Sequence, residues 1–550
     1  MKLTKEQQLV AYSQYHHTVA VAPAGAGKTA TSIEFIRYQG NAAIVAFTLT
    51  NKAANEIKER LNGECPNVGV STIHKFAYNL IKSHSNVNYI MLTDSAQLAL
   101  IQRGLGGDKK LQQAINKFKC KGITPEQSGE PKYSQYEYLC KKGSYLDFSS
   151  MAAIATPLVQ CFNKIDVLCV DEAQDLSQDQ MNLIDAIVKH HNPKVLLVGD
   201  PRQAIYGWRG GMDSPFNYFI SKYTDSKLLN LTYNFRSSEA ICDAGNKVTH
   251  LKHLPDVKAG LKIKGFVEKN TYPTADIERM QVVSRIRELR STGNNGNAIL
   301  FRTNHQMSRY EYPLIRACIP YEIWGGRKLL DHNEIKCILA WLSLLDNNQN
   351  NAALFVAAQS ITGIGKVAAK NLTIESAQQE TKKQPIINFF DCYVLFLNEY
   401  NSNQSIRFTI DLIAEIMGIK EPKLNKAGLV TDKEVKSTIN RSTRVDVLAD
   451  LSEGHNSISG FIEKISMDTD SSEKGDVNKV ILSTVHKAKG LEFNNVFVPN
   501  LIEGNMPMSD NKGNISDIGE ETNIAYVAFT RPRFNLFEST HQEGDTSRFF

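Results

Sequence analysis

This sequence has no Cys-x-x-Cys pair, no long apolar run, no extended low-complexity tract and no short internal repeat. Each absence removes a class of protein. The nine cysteines (positions 65, 120, 140, 161, 169, 242, 318, 337 and 392) are scattered. That argues against a zinc site, an iron–sulfur cluster or a disulfide framework, and it suits a reducing compartment. No stretch approaches the roughly 18 apolar residues of a membrane-spanning helix. The opening residues, Met1 to Gln8, carry no secretory signal. An intracellular protein without a membrane partner is expected. Charge of one sign is also scarce: a net +5 over 550 residues neither demands nor excludes a polyanionic partner. The local cluster Lys109, Lys110, Lys117, Lys119 and Lys121 reads either as a nucleic-acid patch or as a solvated helix face.

What is present is a globular composition, 42% hydrophobic and 22% charged, in a chain too long for one core. Roughly two to four domains are expected. Thr18–Ala22, Ala42–Phe47, Val167–Val170 and Val195–Val198 are short, rich in Val, Ile and Ala, and lack polar alternation. Such runs read as strands buried on both faces of a parallel sheet. A second set follows at Ala298–Phe301, Lys479–Ser483, Asn495–Val498 and Arg533–Phe537. The stretch from about 350 to 475 is mainly helical in pattern, with polar interruptions at Asn347–Asn351 and Asp468–Gly475. The fold class expected is therefore α/β, two cores with parallel sheets, each carrying a mainly helical insertion. The boundaries are 1–80 and 149–231 for the first core, interrupted by 81–148, and 232–349 and 476–550 for the second, interrupted by 350–475.

The strongest motif is Ala22 to Thr29 (Ala-Pro-Ala-Gly-Ala-Gly-Lys-Thr), directly after a strand. Small residues at Ala24, Gly25, Ala26 and Gly27 let successive backbone N–H groups turn toward phosphate oxygens, and the following helix adds its positive end. Lys28 would reach the β- and γ-phosphates, and the Thr29 hydroxyl would join the shell of a magnesium ion. The second motif closes an apolar strand with Asp171 and Glu172. Such acids are costly to bury unless they meet a cation or donors. Asp171 is placed to bind Mg²⁺, directly or through water, and Glu172 to polarise the attacking water. ATP and Mg²⁺ are the expected cofactors, and hydrolysis the expected chemistry. Arg236 and Arg531 are candidates for positive groups on the γ-phosphate, contributed from a second rigid body and worth about 10³–10⁵ in rate. From spacing alone each could equally be a surface ion pair.

The order of these motifs resembles that of the UvrD/Rep/PcrA family of superfamily 1 DNA helicases, from residue 3 almost to the end. The resemblance implies two RecA-like cores, ATP-driven movement on single-stranded DNA in the 3′ to 5′ direction, and strand separation at junctions. Leu3–Gln7 looks like the family's adenine-reading segment, with Gln7 as the reader. Phe47–Ala54 and Thr72–Phe76 resemble its single-strand contacts, which implies Phe47, Thr48, Asn51, Thr72 and His74 at DNA. In Val198–Gly210, Gln203 would sense the γ-phosphate, while Tyr206, Trp208 and Arg209 would face DNA. Ser483–Phe493 and Glu520–Arg531 match later segments: Thr484 and His486 at DNA, Glu492 at the ribose, Arg236 and Arg531 on the γ-phosphate. Aromatic side chains suit sequence-independent binding, because every base offers a face to stack on. Packing between the cores is the other reading of Tyr206 and Trp208.

The sequence departs from the family pattern at several positions. Ala30 stands where an arginine usually stacks on adenine, and Phe235 replaces the tyrosine of the opposite face. Leu49 occupies the place of a stacking phenylalanine, with Phe47 two positions earlier. Pro532 follows Arg531, so a helix cannot continue far beyond it. Ile361–Lys366, with Gly363 and Gly365, resembles a helix-hairpin-helix turn and equally an ordinary helix–helix turn. No attached nuclease domain is expected, and both insertions are shorter than usual for the family. A partner nuclease, or a replication or repair protein, is a candidate partner, and a monomer is expected in the absence of one. The rival reading is an ATP-gated DNA-binding subunit that regulates or recruits a nuclease without processive unwinding.

Overall fold

The computed structural model describes residues 3–326, 328–424, 428–470, 478–510 and 513–550. By internal contacts the chain divides into two units. The first runs to Phe266 and takes back Ser516–Thr530, and the second comprises Val267–Ile515 and Arg531–Phe550.

The first unit is built on six strands: β1 (His17–Val21), β2 (Ile44–Thr48), β3 (Val68–Thr72), β4 (Val167–Val170), β5 (Lys194–Gly199) and β6 (Lys227–Asn230). They lie in the order β3-β2-β4-β5-β1-β6, all parallel. Their composition explains the arrangement. Val19, Val45, Phe47, Leu168, Val170, Val195 and Leu197 pack on one face with Ile73, Phe76, Ile184 and Ile187. The alternate residues Ala20, Ile44, Ala46, Cys169, Leu196 and Val198 pack on the other with Ile33, Phe35, Ile36 and Ile57. A strand apolar at every position is satisfied only between two layers of helices, each large side chain contributing about 1.5–3 kcal/mol by leaving water. The helices that matter for the site are α1 (Lys5–Ala11), α2 (Lys28–Tyr38), α3 (Asn51–Leu61), α4 (Ile73–His84) and α5 (Ile518–Phe529).

The segment expected as the first insertion holds helices Asp94–Leu105, Lys109–Cys120 and Pro131–Lys142 around Ile101, Ile115, Tyr133 and Tyr136. Its neck is fastened by a buried pair: Lys119 donates to Asp147 at 2.6 Å, and Tyr136 donates to the same carboxylate at 2.8 Å. Lys119 is thus an internal brace, and the solvated-face reading does not apply to it.

The second unit contains β7 (Val267–Tyr272), β8 (Asn297–Phe301), β9 (Tyr321–Trp324), β10 (Val480–Thr484), β11 (Phe493–Val498) and β12 (Pro532–His541). The order is β7-β12-β11-β8-β10-β9, again all parallel. Between β9 and β10 the described residues are mainly helical, including Asn351–Gln359, Gln384–Asn403, Ile406–Ile416 and Asp432–Ser452. Trp341 is fully buried there against Phe389 and Phe396, its indole N–H donating to Ser360. Ile361–Lys366 forms the turn after Asn351–Gln359 and leads into a helix of only five residues, Lys366–Lys370. Of the polar stretch Asp468–Gly475, residues 471–475 lie outside the described residues.

The α/β class with two parallel sheets is therefore present as read from the sequence. The structural division falls later than residue 232, where the second core was expected to begin. Residues 231–235 are tied to the first unit: Leu231 N–H donates to Val21 O, Thr232 N–H to Glu6, and Phe235 N–H to Gly25 O.

Candidate nucleotide site and nucleic-acid loop

In a parallel sheet every strand points its C-terminal end to the same edge. Here that edge gathers the loop after β1, the acids after β4 and the turn after β5. The loop after β1 turns through Gly25 (φ +73°) and Gly27 (φ +77°), both left-handed, and enters α2 at Lys28. Gly27 caps α2 without a side-chain bond, so the first amides of the helix stay open to an anion. Lys28 donates to Ala22 O at 3.2 Å. Thr29 is in the first turn of the same helix.

Gln7 reaches this loop from α1. Its side-chain N–H donates to Ala26 O at 3.0 Å, and its carbonyl accepts from Thr4 N–H at 2.9 Å. It thus braces the loop, which is compatible with reading a base beside it. Asn234 packs against the loop from the far side. A Cβ at Gly25 would stand 2.3 Å from Asn234 Oδ1 and 2.7 Å from Arg236 Cβ. Gly25 therefore serves both its own turn and this close approach. Asn234 Oδ1 accepts from the N–H groups of Arg236 (2.7 Å) and Ser237 (2.9 Å), holding the segment in place. By internal contacts Arg236 falls in the same unit as Lys28. Phe235 is half-buried beside it.

Asp171 and Glu172 close β4. Burial, and then the neighbouring Glu172 charge, raise the Asp171 carboxyl above the usual range, while Lys28 pulls it back. The backbone of Glu172 is left-handed (φ +56°), unusual for a non-glycine residue. Its carboxylate accepts from Gln174 Nε2 at 2.5 Å, and Gln174 Oε1 accepts from Asp200 N–H at 3.0 Å. Asp200, fully buried, accepts in turn from Gln203 Nε2 at 2.8 Å. A continuous polar chain therefore joins Glu172 to the Gln203 turn. Among the described residues no group of three or more His, Cys, Asp or Glu could hold a metal by itself.

Beyond Gln203 the same loop carries the candidate DNA residues. Trp208 is 52% exposed, with the Arg209 guanidinium 4.6 Å from its ring centre, and Tyr206 is half-buried at 5.5 Å from that guanidinium. Trp208 is therefore not part of the core of its own unit.

Phe47 does not match its expectation. It is 1% exposed and packs edge-on against Phe76 in the core, so no nucleic acid can reach it. The strand is covered by helices on both faces and buried at every position, so Phe47 is core, whereas Leu49, one residue past the strand end at Thr48, is 43% exposed. Thr48 is buried and donates to Thr50 O, whereas Asn51 is exposed at the first position of α3. Thr72 caps α4, accepting from Lys75 N–H. His74 is stacked at 3.9 Å on Phe148, which is itself 54% exposed. Burial pushes the pKa of His74 down to about 4.

A pH effect follows from His74. Its folded pKa lies below the ordinary 6.5, so the unfolded chain binds the extra proton between about pH 6.5 and 4. The neutral ring is favoured in full above pH 6.5, and stability falls as pH drops, on the order of 2 kcal/mol by pH 5. The difference in unfolding free energy between wild type and His74→Phe should shift by about that amount from pH 7.5 to 5. A constant difference across this range would mean that the ring is not held neutral.

In the second unit, Thr484 is buried at the cap of the short helix Val485–Ala488, with His486 half-buried within it. Glu492 is exposed, 3.8 Å from Arg533. Arg531 is 1% exposed and donates to Leu491 O at 3.2 Å. As Pro532 implies, the helix before it stops: α5 ends at Phe529 and β12 starts at Pro532. No helix among the described residues is long and apolar enough to cross a membrane.

Asn234, Gln174, Asp200 and Phe148 escaped the sequence reading, because their roles are hydrogen bonds and stacking across distant segments. Only Gln174, two residues beyond Glu172 in an otherwise acidic motif, carried a local signal.

Comparison with known proteins agrees with this geometry. Residues 3–224 match the UvrD/REP helicase N-terminal domain, and residues 229–543 match the UvrD-like helicase C-terminal domain. Similar proteins include the ATP-dependent DNA helicase Rep of Buchnera aphidicola subsp. Schizaphis graminum, 28% identical over 94% of this chain and 90% of its own length. The ATP-dependent DNA helicase UvrD1 of Mycobacterium bovis is 26% identical over 98% of this chain and 82% of its own. The ATP-dependent DNA helicase PcrA of Leuconostoc citreum is 26% identical over 90% and 75%. With matched domains covering nearly its whole length and the motifs gathered on one sheet edge, the chain belongs to the UvrD-like helicase family.

Proposed function

We propose that this protein is an ATP-driven motor that moves 3′ to 5′ along single-stranded DNA and separates strands where single strand meets duplex. One observation carries the reading. The loop from Asp200 to Arg209 begins in the polar chain from Glu172 and ends in an exposed indole, so one short segment serves nucleotide and nucleic acid alike. The names of the relatives, ATP-dependent DNA helicases, support the same activity.

In this reading the amides of Ala24–Thr29 and the Lys28 ammonium hold the phosphates. The donor set fits Mg²⁺: one buried carboxylate, Asp171, and one hydroxyl, Thr29, suit an ion that keeps waters and takes its other ligands from phosphates. Bound there, the ion would neutralise charge on the β- and γ-oxygens. Glu172 takes the proton of the attacking water, Gln203 senses the γ-phosphate, and Arg236 stabilises the charge that develops on it. The family resemblance adds Arg531 for the same charge, Gln7 and Phe235 for adenine, and Glu492 for the ribose. Tyr206, Trp208, Arg209, Asn51, Thr72, Thr484 and His486 are assigned to DNA, and a nuclease or a replication or repair protein to partnership.

The test is a forked duplex with a 3′ single-stranded tail. Strand separation that requires ATP is expected, and none with a 5′ tail. DNA-stimulated hydrolysis without separation would overturn the unwinding claim and leave an ATP-gated DNA binder or a bare translocase. In the same assay Trp208→Ala should weaken single-strand affinity roughly 5- to 100-fold, since stacking contributes about 1–3 kcal/mol per base. Unchanged titrations would remove that tryptophan from the DNA path.

A further inference from the structure

Helix α5 is bound by its contacts to the first unit, although the chain on either side of Ser516–Thr530 belongs to the second. It touches the first unit at the loop that carries Gln203 and Trp208. Asn523 Nδ2 donates to the carbonyls of Pro201 (3.3 Å) and Ala204 (3.0 Å), on either side of Gln203. One turn earlier on the same helix face, the Glu520 carboxylate lies 3.5 Å from Trp208 N–H, a long contact. Gly207 approaches so closely that a Cβ there would stand 3.2 Å from Glu520 Oε2. The helix thus donates to carbonyls at the nucleotide end of the loop and accepts from amides at its aromatic end. Burial raises the Glu520 carboxyl, and the Trp208 and Gly207 amides oppose that shift.

Resting on the proposed function, we infer that Glu520 and Asn523 are positioning residues, a two-point clasp that holds the Pro201–Trp208 segment against α5 and so links the Gln203 turn to the Trp208 indole. Neither side chain enters the chemistry. Loss of either point frees one end of the loop, so hydrolysis persists but no longer responds to DNA.

The experiment compares steady-state ATP hydrolysis with and without oligo-dT for Glu520→Ala, Glu520→Gln and Asn523→Asp, with thermal unfolding recorded alongside. For Glu520→Ala and Asn523→Asp, basal hydrolysis and the KM for ATP should stay within about twofold of wild type. The stimulation by oligo-dT should fall about tenfold, in keeping with the loss of one or two hydrogen bonds. Glu520→Gln keeps an oxygen acceptor and should retain most of the stimulation. Wild-type stimulation in Glu520→Ala and Asn523→Asp would overturn the clasp. So would an equal fall of basal and stimulated rates, or a Gln variant as defective as Ala. If Trp208→Ala also binds and responds to oligo-dT normally, it is the assignment of the loop to DNA that fails.

Discussion

Glu172→Gln is expected to bind ATP and leave it intact. Glu172 sits at the end of a fully buried strand in a left-handed conformation, with its carboxylate held by Gln174 Nε2. Glutamine has the same length and keeps an oxygen to accept that bond, so the polar chain to Asp200 and Gln203 survives. What is lost is the base. A positioned base is worth roughly 10²–10⁴ in rate, and hydrolysis should fall by that factor. Nucleotide binding should hold, for an electrostatic reason. The Glu172 charge is the second cause, after burial, that raises the Asp171 carboxyl. Removing it makes Asp171 easier to ionise and therefore a better magnesium ligand. Phosphate release and titration with a fluorescent ATP analogue separate the two effects. Turnover at the wild-type rate would take the base role away from Glu172, and loss of binding would show that it holds the nucleotide.

The part of the fold legible in the sequence was its interior. All eight strands read from apolar runs are present, and those flanked on both sides are buried at nearly every position, as in Ile44–Thr48 and Val167–Val170. Within the two six-stranded sheets, the four strands that escaped, Val68–Thr72, Lys227–Asn230, Val267–Tyr272 and Tyr321–Trp324, are the four edges. An edge strand meets a neighbour on one side only, keeps polar residues such as Lys227, Glu268 and Glu322, and so never forms the continuous apolar run that marks a central one.

The site divided in the same way. Lys28, Asp171 and Glu172 are contiguous with strands and were readable from local pattern. The misreading of Phe47 came from treating a residue at a strand end as surface. Both faces of that strand lie under helices, so its last residues are still core, Phe47 against Phe76, and the surface begins only at Leu49. The anchoring of Arg236 was not legible for a different reason. What anchors it is Asn234 lying over Gly25, an approach across more than two hundred residues of chain that no spacing records.

Lys28→Ala should abolish hydrolysis and weaken nucleotide binding together, which distinguishes it from Glu172→Gln. The ammonium opens α2 directly after the glycine turn, and its hydrogen bond to Ala22 O is a single bond to backbone that a phosphate oxygen can replace. Charge-assisted bonds of this kind contribute about 1.5–3 kcal/mol each. Removing one such bond to phosphate in the ground state lowers affinity roughly 10- to 100-fold. A second effect falls on the acids. Lys28 is the first of the influences that lower the Asp171 carboxyl against burial and the Glu172 charge. Without it Asp171 holds its proton to higher pH and binds magnesium less well, so the rate loss exceeds the affinity loss. The folded chain should be little affected, since alanine favours a helix and Asp171 keeps the hydrogen bond it accepts from the Glu172 N–H. Hydrolysis below about one thousandth of wild type, with an unchanged thermal midpoint in the absence of nucleotide, is the expected pair of results. Raising the pH should restore part of the magnesium affinity in Lys28→Ala, because it is Asp171 that is protonated. A magnesium affinity independent of pH in the variant would mean that Lys28 acts on the phosphates alone.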